Sequence, residues 1–163
     1  MRLAAAKYGR LYIGITGQER DRTGVRAREA AGRNPLTFWE RVEMWRIALD
    51  DLAPDAGHVV GPFPIEDPAT LPDFVPLSCV CATTIREDWN DEKVRRLEGL
   101  GYDVDVLLDD RAKRISGDHI RGLIETGSGD WRQHVPSGVA DYLTEIGLRD
   151  RLRALSAVDR GAE

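Results

Sequence analysis

The sequence predicts an α/β fold, a parallel sheet with flanking helices, from three observations. Short β-branched and aromatic runs at 11–16, 58–61, 77–83 and 103–108 alternate with segments whose apolar residues recur at helical spacing. Glycine, proline or a capping residue stands at most of the boundaries between them. The run Leu77-Ser78-Cys79-Val80-Cys81-Ala82-Thr83 is apolar enough to be buried on both faces, as the middle strands of a parallel sheet are.

Taken in order, Arg2-Leu3-Ala4-Ala5-Ala6-Lys7-Tyr8 reads as the tail of a helix stopped by Gly9. Leu11 to Thr16 follows as the first strand. From Gly17 to Arg33 the chain is charged and lacks apolar periodicity, so a loop is predicted. Its Arg20, Arg22, Arg26, Arg28 and Arg33 form either a solvated face or a lid over a polyanion. Thr37 with Glu40 forms a capping box, and Phe38, Val42, Trp45, Leu49 and Leu52 make 38–52 an amphipathic helix. His58 to Gly61 is a strand cut short by Pro62. After the run at 77–83, Thr84 to Asn90 is expected as a loop, with Asn90 capping a helix through Val94, Leu97 and Leu100 that ends at Gly101. A strand at 103–108 leads to the helix opened by Ser116. Ser137 caps 138–146, with Val139, Tyr142, Leu143 and Ile146 facing inward, and Leu148 to Leu155 closes the fold.

At 163 residues, 42% hydrophobic and 31% charged, the chain is expected to form one domain over 1–155 with a frayed tail at 156–163. A formal charge of −5 argues against nucleic acid or an anionic membrane as general partners, since both need a basic surface. No apolar run reaches membrane-spanning length and no secretory leader is present, so a cytoplasmic location is expected. Cys79 and Cys81, two apart in an expected strand, point to one face and cannot form an ordinary disulfide; they read as buried thiols, and no metal ligand set is found.

The stretch with chemical content is Ile115-Ser116-Gly117-Asp118-His119-Ile120-Arg121, where a strand hands over to a helix. Ser116 is the natural N-cap. Gly117 lets the chain approach a ligand, the unpaired N–H groups of the first turn suit a phosphate, and Arg121 in the next turn can fork onto the same anion. The same residues also suit an ordinary capped helix with an exposed arginine.

These residues resemble the I-S-x-T-x-x-R phosphate motif of the HxGH nucleotidyltransferase superfamily. Asn34-Pro35-Leu36-Thr37 with Glu40-Arg41-Val42-Glu43-Met44 resembles the N-P-F-T-x-x-E-R segment of archaeal-type nicotinamide-nucleotide adenylyltransferases. Order and spacing agree, Leu11 to Thr16 is similar to the second strand of that family and Val135-Pro136 with Val139-Ala140 to its closing helix. The resemblance implies a Rossmann-like parallel sheet of nucleotidyltransferase type. It also implies in-line transfer of an adenylyl group from ATP to nicotinamide mononucleotide or a similar phosphorylated acceptor, with Mg²⁺ and release of pyrophosphate. Ser116, Gly117, Arg121 and Arg41 would bind phosphate, and Gly14, Thr16, Gln18, Asn34 and Trp89 would border the nucleotide or substrate. Trp89 has a second reading as a packing aromatic, and Trp39, Trp45 and Trp131 read as structural. A cytidylyltransferase acting on a small phosphate or phosphonate is the nearest enzymatic alternative, and a non-catalytic nucleotide-binding or assembly module is the other; assembly as a homo-oligomer is left open.

Two departures accompany the resemblance. Asp118 stands where the motif has threonine, and H-x-G-H is absent, since the histidines are His58, His119 and His134. The family's first strand, central in its sheet, carries H-x-G-H; this sequence is expected to lack that strand. Either Met1 is an internal methionine of a longer protein, or the chain is a degenerate relative whose gap is filled by rearrangement or by another chain.

Overall fold

The computed structural model describes residues 1–16, 34–55, 57–86, 88–111 and 115–160, with the side chains of 88, 89, 159 and 160 outside that description. Gln18 and the arginine-bearing segment at 17–33 lie outside the described residues. The chain divides into two compact units, Met1–Gln18 with Leu52–Arg114, and Glu19–Asp51 with Ile115–Glu163.

The first unit holds the strands, and they form an α/β Rossmann-like arrangement of parallel strands in open sheets flanked by helices. Helix α1 (Arg2–Lys7) precedes β1 (Arg10–Ile15), which pairs in parallel with β2 (Gly57–Pro62), Arg10 opposite Gly57 through Ile15 opposite Pro62. Strand β3 (Val80–Ile85) pairs in parallel with β4 (Asp103–Asp109), with an irregularity where the partner changes from Val106 for Thr83 to Leu108 for Thr84. Each pair is its own two-stranded sheet. Between β3 and β4 runs α3 (Asp88–Gly99), numbered after α2 (Phe38–Leu52). A 3-10 turn, Pro68–Asp73, threads the proline-rich connection. The core is Phe63, Ile65, Leu71, Val75, Leu97 and Tyr102, with Cys79, Cys81, Leu100 and Val104 packed against it. Tyr102 brings its hydroxyl inside by donating to the Val75 carbonyl at 2.6 Å, which removes the cost of burying it. The two thiols are half-buried and unbridged, and burial pushes the Cys81 thiol up.

Several boundaries differ from those expected. Strand β3 begins at Val80, because Leu77 and Ser78 turn, and it is not buried on both faces: Val80 and Ala82 are exposed. A strand with one partner strand has one covered edge only. Helix α3 starts at Asp88, so Trp89 lies in its first turn and not in a loop, and Asn90 reaches back from inside the helix to accept the Arg86 N–H at 2.9 Å. Helix α1 ends on an extended Tyr8 (φ −120°) without a left-handed glycine at Gly9.

The second unit is helical: α2 (Phe38–Leu52), α4 (Gly117–Thr126), a 3-10 turn (Gly129–His134), α5 (Ser137–Glu145) and α6 (Leu148–Arg160). Leu49, Ile124, Trp131, Val139, Leu143 and Leu152 are buried in it. Trp131 is structural as expected, whereas Trp39 is 71% exposed. Ser137 is the first helical residue of α5 and makes no side-chain cap, Pro136 standing at the N-cap. Helix α6 continues past Leu155 to Arg160, where a tail was expected. At the end of α4, Gly127 sits in the left-handed region at φ 80°, and its N–H closes on the Leu123 and Ile124 carbonyls, which is the usual glycine stop.

The capping box at Thr37 forms as expected. The Thr37 N–H donates to Glu40 Oε2 at 2.7 Å and the Glu40 N–H to Thr37 Oγ1 at 3.2 Å. Arg151, from α6, completes it: Nη1 and Nη2 take the two Glu40 oxygens at 2.7 and 2.8 Å, and Nη1 also donates to the Pro35 carbonyl at 2.9 Å. These bonds, Arg151 foremost, lower the Glu40 carboxyl to about 2. We expect Arg151→Met to destabilise the fold by roughly 1.5–3 kcal/mol, the range for hydrogen bonds to charged groups. Because the Glu40 value is depressed in the folded state, the stability that it confers is complete above its ordinary 4.5 and disappears as pH falls toward about 2. Urea melts of the two proteins between those pH values should therefore converge in acid; a constant gap would show that the carboxylate is not what Arg151 stabilises.

Candidate functional site

Of the four predicted phosphate residues, Ser116, Gly117 and Arg121 come together at the start of α4, while Arg41 belongs to α2. Ser116 is extended (φ −114°, ψ 160°) and its Oγ accepts the His119 N–H at 3.1 Å, so it is the N-cap that the sequence indicated. The helix begins at Gly117, and the Arg121 side chain folds back over it: a Cβ at Gly117 would lie 3.0 Å from Arg121 Nη1. The guanidinium is thereby stationed beside the first turn, where the N–H groups and the helix dipole favour an anion. Asp118 already supplies one. Its Oδ1 accepts Arg121 Nη2 at 2.5 Å, and its side chain is 84% exposed. Where the resembled motif has threonine, the aspartate therefore forms an exposed ion pair with Arg121 at the helix start.

Two imidazoles border this helix start. His119 lies in the first turn of α4 and His134 at the end of the 3-10 turn, with ring centres 6.4 Å apart and planes inclined by 55°. Neither was singled out from the sequence, since residues 15 apart give no periodic signal; the 3-10 turn at Gly129–His134 brings them together.

Asn34 and Arg41 lie around the start of α2. Asn34 is exposed, next to the Pro35 carbonyl that Arg151 holds. Arg41 is half-buried and its guanidinium lies 6.0 Å from the centre of the Phe38 ring on its own helix. Arg151 is the residue that sequence reasoning missed here. It comes from the closing helix, 111 positions beyond Glu40, and only tertiary structure shows that it anchors the Asn34–Glu40 segment.

The remaining predicted residues belong to the strand-bearing unit. Gly14 and Thr16 stand at the C-terminal end of β1, Thr16 exposed. A Cβ on Gly14 would meet Phe63 Cβ, Cγ and Cδ2 at 2.7 Å, so close approach of the core phenylalanine explains the glycine without any ligand. Gly14 also lines a cavity of about 360 Å³ with residues of β1, β3 and α3. Lys93 of α3 reaches the same cavity, its ammonium 5.4 Å from the centre of the Phe63 ring, and burial pulls it below the ordinary lysine range. Trp89 belongs to the first turn of α3, and its side chain lies outside the description, as does Gln18. Among the described residues no group of three or more His, Cys, Asp or Glu converges as a metal site, and no helix is long and apolar enough to cross a membrane.

Comparison with known proteins gives two relatives. The chain is 32% identical over 149 residues to phosphonoformate cytidylyltransferase of Streptomyces viridochromogenes, covering 88% of this chain and 80% of that protein. It is 29% identical over 131 residues to nicotinamide-nucleotide adenylyltransferase of Saccharolobus solfataricus, covering 78% of this chain and 74% of that one. No protein-family model matches the chain, and no solved structure does. Both relatives transfer a nucleotidyl group by name, and at this identity and coverage the chain belongs to the nucleotidyltransferase family.

Proposed function

We propose that this chain binds a nucleoside triphosphate through the start of α4, in the manner of a nucleotidyltransferase acting on a small phosphate or phosphonate acceptor. The observation that carries the reading is the Arg121 guanidinium lying over Gly117 at a serine-capped helix start, in a chain related to two nucleotidyltransferases. Ser116, the Gly117 amide and Arg121 would hold the β,γ-phosphates. Arg41, Asn34, Gly14, Thr16, Gln18 and Trp89 are the proposed borders of the nucleotide or acceptor. The reaction needs no protein nucleophile: the acceptor oxygen attacks the α-phosphorus in line and pyrophosphate departs, so the protein contributes positioning and charge. Magnesium would arrive on the triphosphate, held by phosphate oxygens and water, as this ion commonly is.

Both CTP with a phosphonate and ATP with nicotinamide mononucleotide fit this chemistry, and each has one relative behind it. The non-catalytic reading has its own support: no H-x-G-H occurs among the 163 residues, and the Asp118–Arg121 pair competes with a phosphate. Calorimetric titration with CTP and ATP in Mg²⁺, followed by pyrophosphate release with phosphonoformate or nicotinamide mononucleotide as acceptor, tests the proposal. Binding of neither triphosphate would sink it.

For the 163-residue chain we expect binding without turnover at ordinary enzyme rates, about 1–10³ per second, because the histidine pair that touches the transferring phosphate in the resembling family is not in its sequence. Rates in that range would show that other groups have replaced it, with His119 and His134 the first to substitute.

Asp118→Thr removes the competing carboxylate and frees Arg121, so triphosphate affinity should rise by about 1 kcal/mol or somewhat more, in line with charge effects at helix N-termini. Unchanged affinity would mean that the carboxylate swings clear when the ligand arrives. Arg121→Ala should weaken binding by roughly 1.5–3 kcal/mol while the ligand-free melting temperature stays nearly constant, since an exposed i,i+3 ion pair contributes little. Paired melts with and without CTP or ATP separate the roles: an equal ligand response in both proteins removes Arg121 from the seat.

A further inference from the structure

Two imidazoles from separate elements approach each other beside α4. His119 belongs to the first turn of that helix and His134 ends the 3-10 turn, with ring centres 6.4 Å apart and planes inclined by 55°. Residues two apart on a helix do not face each other, so His119 is turned away from Arg121.

The elements that carry the two rings are braced. Trp131 anchors the 3-10 turn by its burial, and Arg132 ties the turn to α5 through the Asp141 carboxylate and, at 3.1 Å, the Thr144 hydroxyl. Helix α4 is held at its far end by α6: Arg149 donates to the Thr126 carbonyl at 3.3 Å and Arg153 to the Glu125 carbonyl at 3.1 Å. The backbones of His119 and His134 are therefore fixed, and the freedom that remains is rotation of two side chains, His119 exposed and His134 half-buried.

This separation suits a metal ion. With imidazole nitrogens ligating at about 2.0–2.1 Å, two rings that share one ion have centres about 5 Å apart at a tetrahedral angle and about 6.4 Å apart at most. The observed rings lie at the outer end of that span, and side-chain rotation that brings them closer by about 1 Å gives the tetrahedral arrangement. Two nitrogen donors also select the ion: imidazole suits zinc, copper and nickel, whereas magnesium and calcium take oxygen ligands. Among the described residues no third His, Cys, Asp or Glu completes a ligand group with the pair, and the chain's two thiols belong to the first unit. Water would fill the remaining positions. That is the open arrangement, able to admit an oxygen of a solute, and not the closed four-ligand arrangement of a structural ion.

We propose that His119 and His134 form a two-imidazole site for one divalent transition ion of the zinc, nickel and copper class, separate from any magnesium that a nucleotide carries. Ser116, Gly117 and Arg121 supply none of its ligands, so the site is independent of the triphosphate reading.

For the test, Zn²⁺ is titrated into the whole chain without nucleotide, and the imidazole ring signals are followed by NMR together with the melting temperature. The expected result is one saturating event, at about one ion per chain, that shifts the His119 and His134 rings with a common affinity, raises the melting temperature and reverses with EDTA. Mg²⁺ at the same concentration should shift neither ring. His119→Phe and His134→Phe each keep a ring in place, at a separation suited to aromatic packing, and remove one ligand. Zn²⁺ should then bind the remaining imidazole about tenfold more weakly or worse, while the zinc-free melting temperature stays close to that of the parent. His134→Gln, which keeps a polar side chain, gives the same readout should the phenylalanine variant melt early. Rings that respond with separate affinities, an undiminished response of the remaining imidazole in either variant, or rings unmoved at millimolar Zn²⁺, uptake at Cys79 and Cys81 alone included, overturn the proposal.

Discussion

A parallel strand spends half of its backbone hydrogen-bonding groups on one neighbour and needs a second neighbour for the rest. This demand governs the strand-bearing unit. β1 is satisfied by β2 on one flank and β3 by β4 on one flank, and the two remaining flanks face a common cavity. The consequence reaches the side chains: Val80, Val106 and Leu108, apolar enough to belong in a sheet interior, remain 38–44% exposed. The buried core lies to one side, where Leu71 and Leu97 are almost wholly inaccessible. The pairs hold their places through side chains, with α1 reaching past β1 to Asp105 on β4.

In the helical unit the corresponding organiser is an arginine. Arg151 joins α6 to the Glu40 carboxylate of the cap and to the Pro35 carbonyl, so the first turn of α2 and the segment before it are held by one guanidinium. Glutamate is what a capping box asks for, but the bidentate geometry converts a local cap into a tertiary fastening. At α4 the logic is similar on a smaller scale. Asp118 and Arg121 neutralise each other over the helix start.

Local chemistry was legible in the sequence and long-range chemistry was not. Ser116, the capping box at Thr37 and the bounds of the 38–52 helix all follow from interactions among residues within four positions, and each appears as read. The start of α3 was misread because Asn90 accepts a hydrogen bond from Arg86, a reach-back that looks in sequence like a cap. β3 was misread because apolarity reports an environment suited to burial, while the observed environment depends on which strands are neighbours. Arg151, Lys93 and the meeting of His119 with His134 could not be read at all, since their partners are set by tertiary packing. For the site, the residues at 115–121 were legible as a unit, and the conversion of Arg121 from a free cation to a paired one was not, because sequence does not show which way a side chain lies.

The Asp105 fastening has a kinetic side. Its partners precede it by 97 and 98 residues, and the strands that it brings into place are parallel, so little of the first unit's structure is closed by local contacts. Loop-closure entropy must be overcome before such contacts contribute, which makes high contact order slow. During synthesis α1 and β1 emerge long before β4, leaving their apolar and hydrogen-bonding surfaces exposed to the ribosome's surroundings for several seconds, at about 5–20 residues per second. The first unit is therefore a late-folding element by construction, and its early strands are the part of the nascent chain most exposed to mispairing and to chaperones.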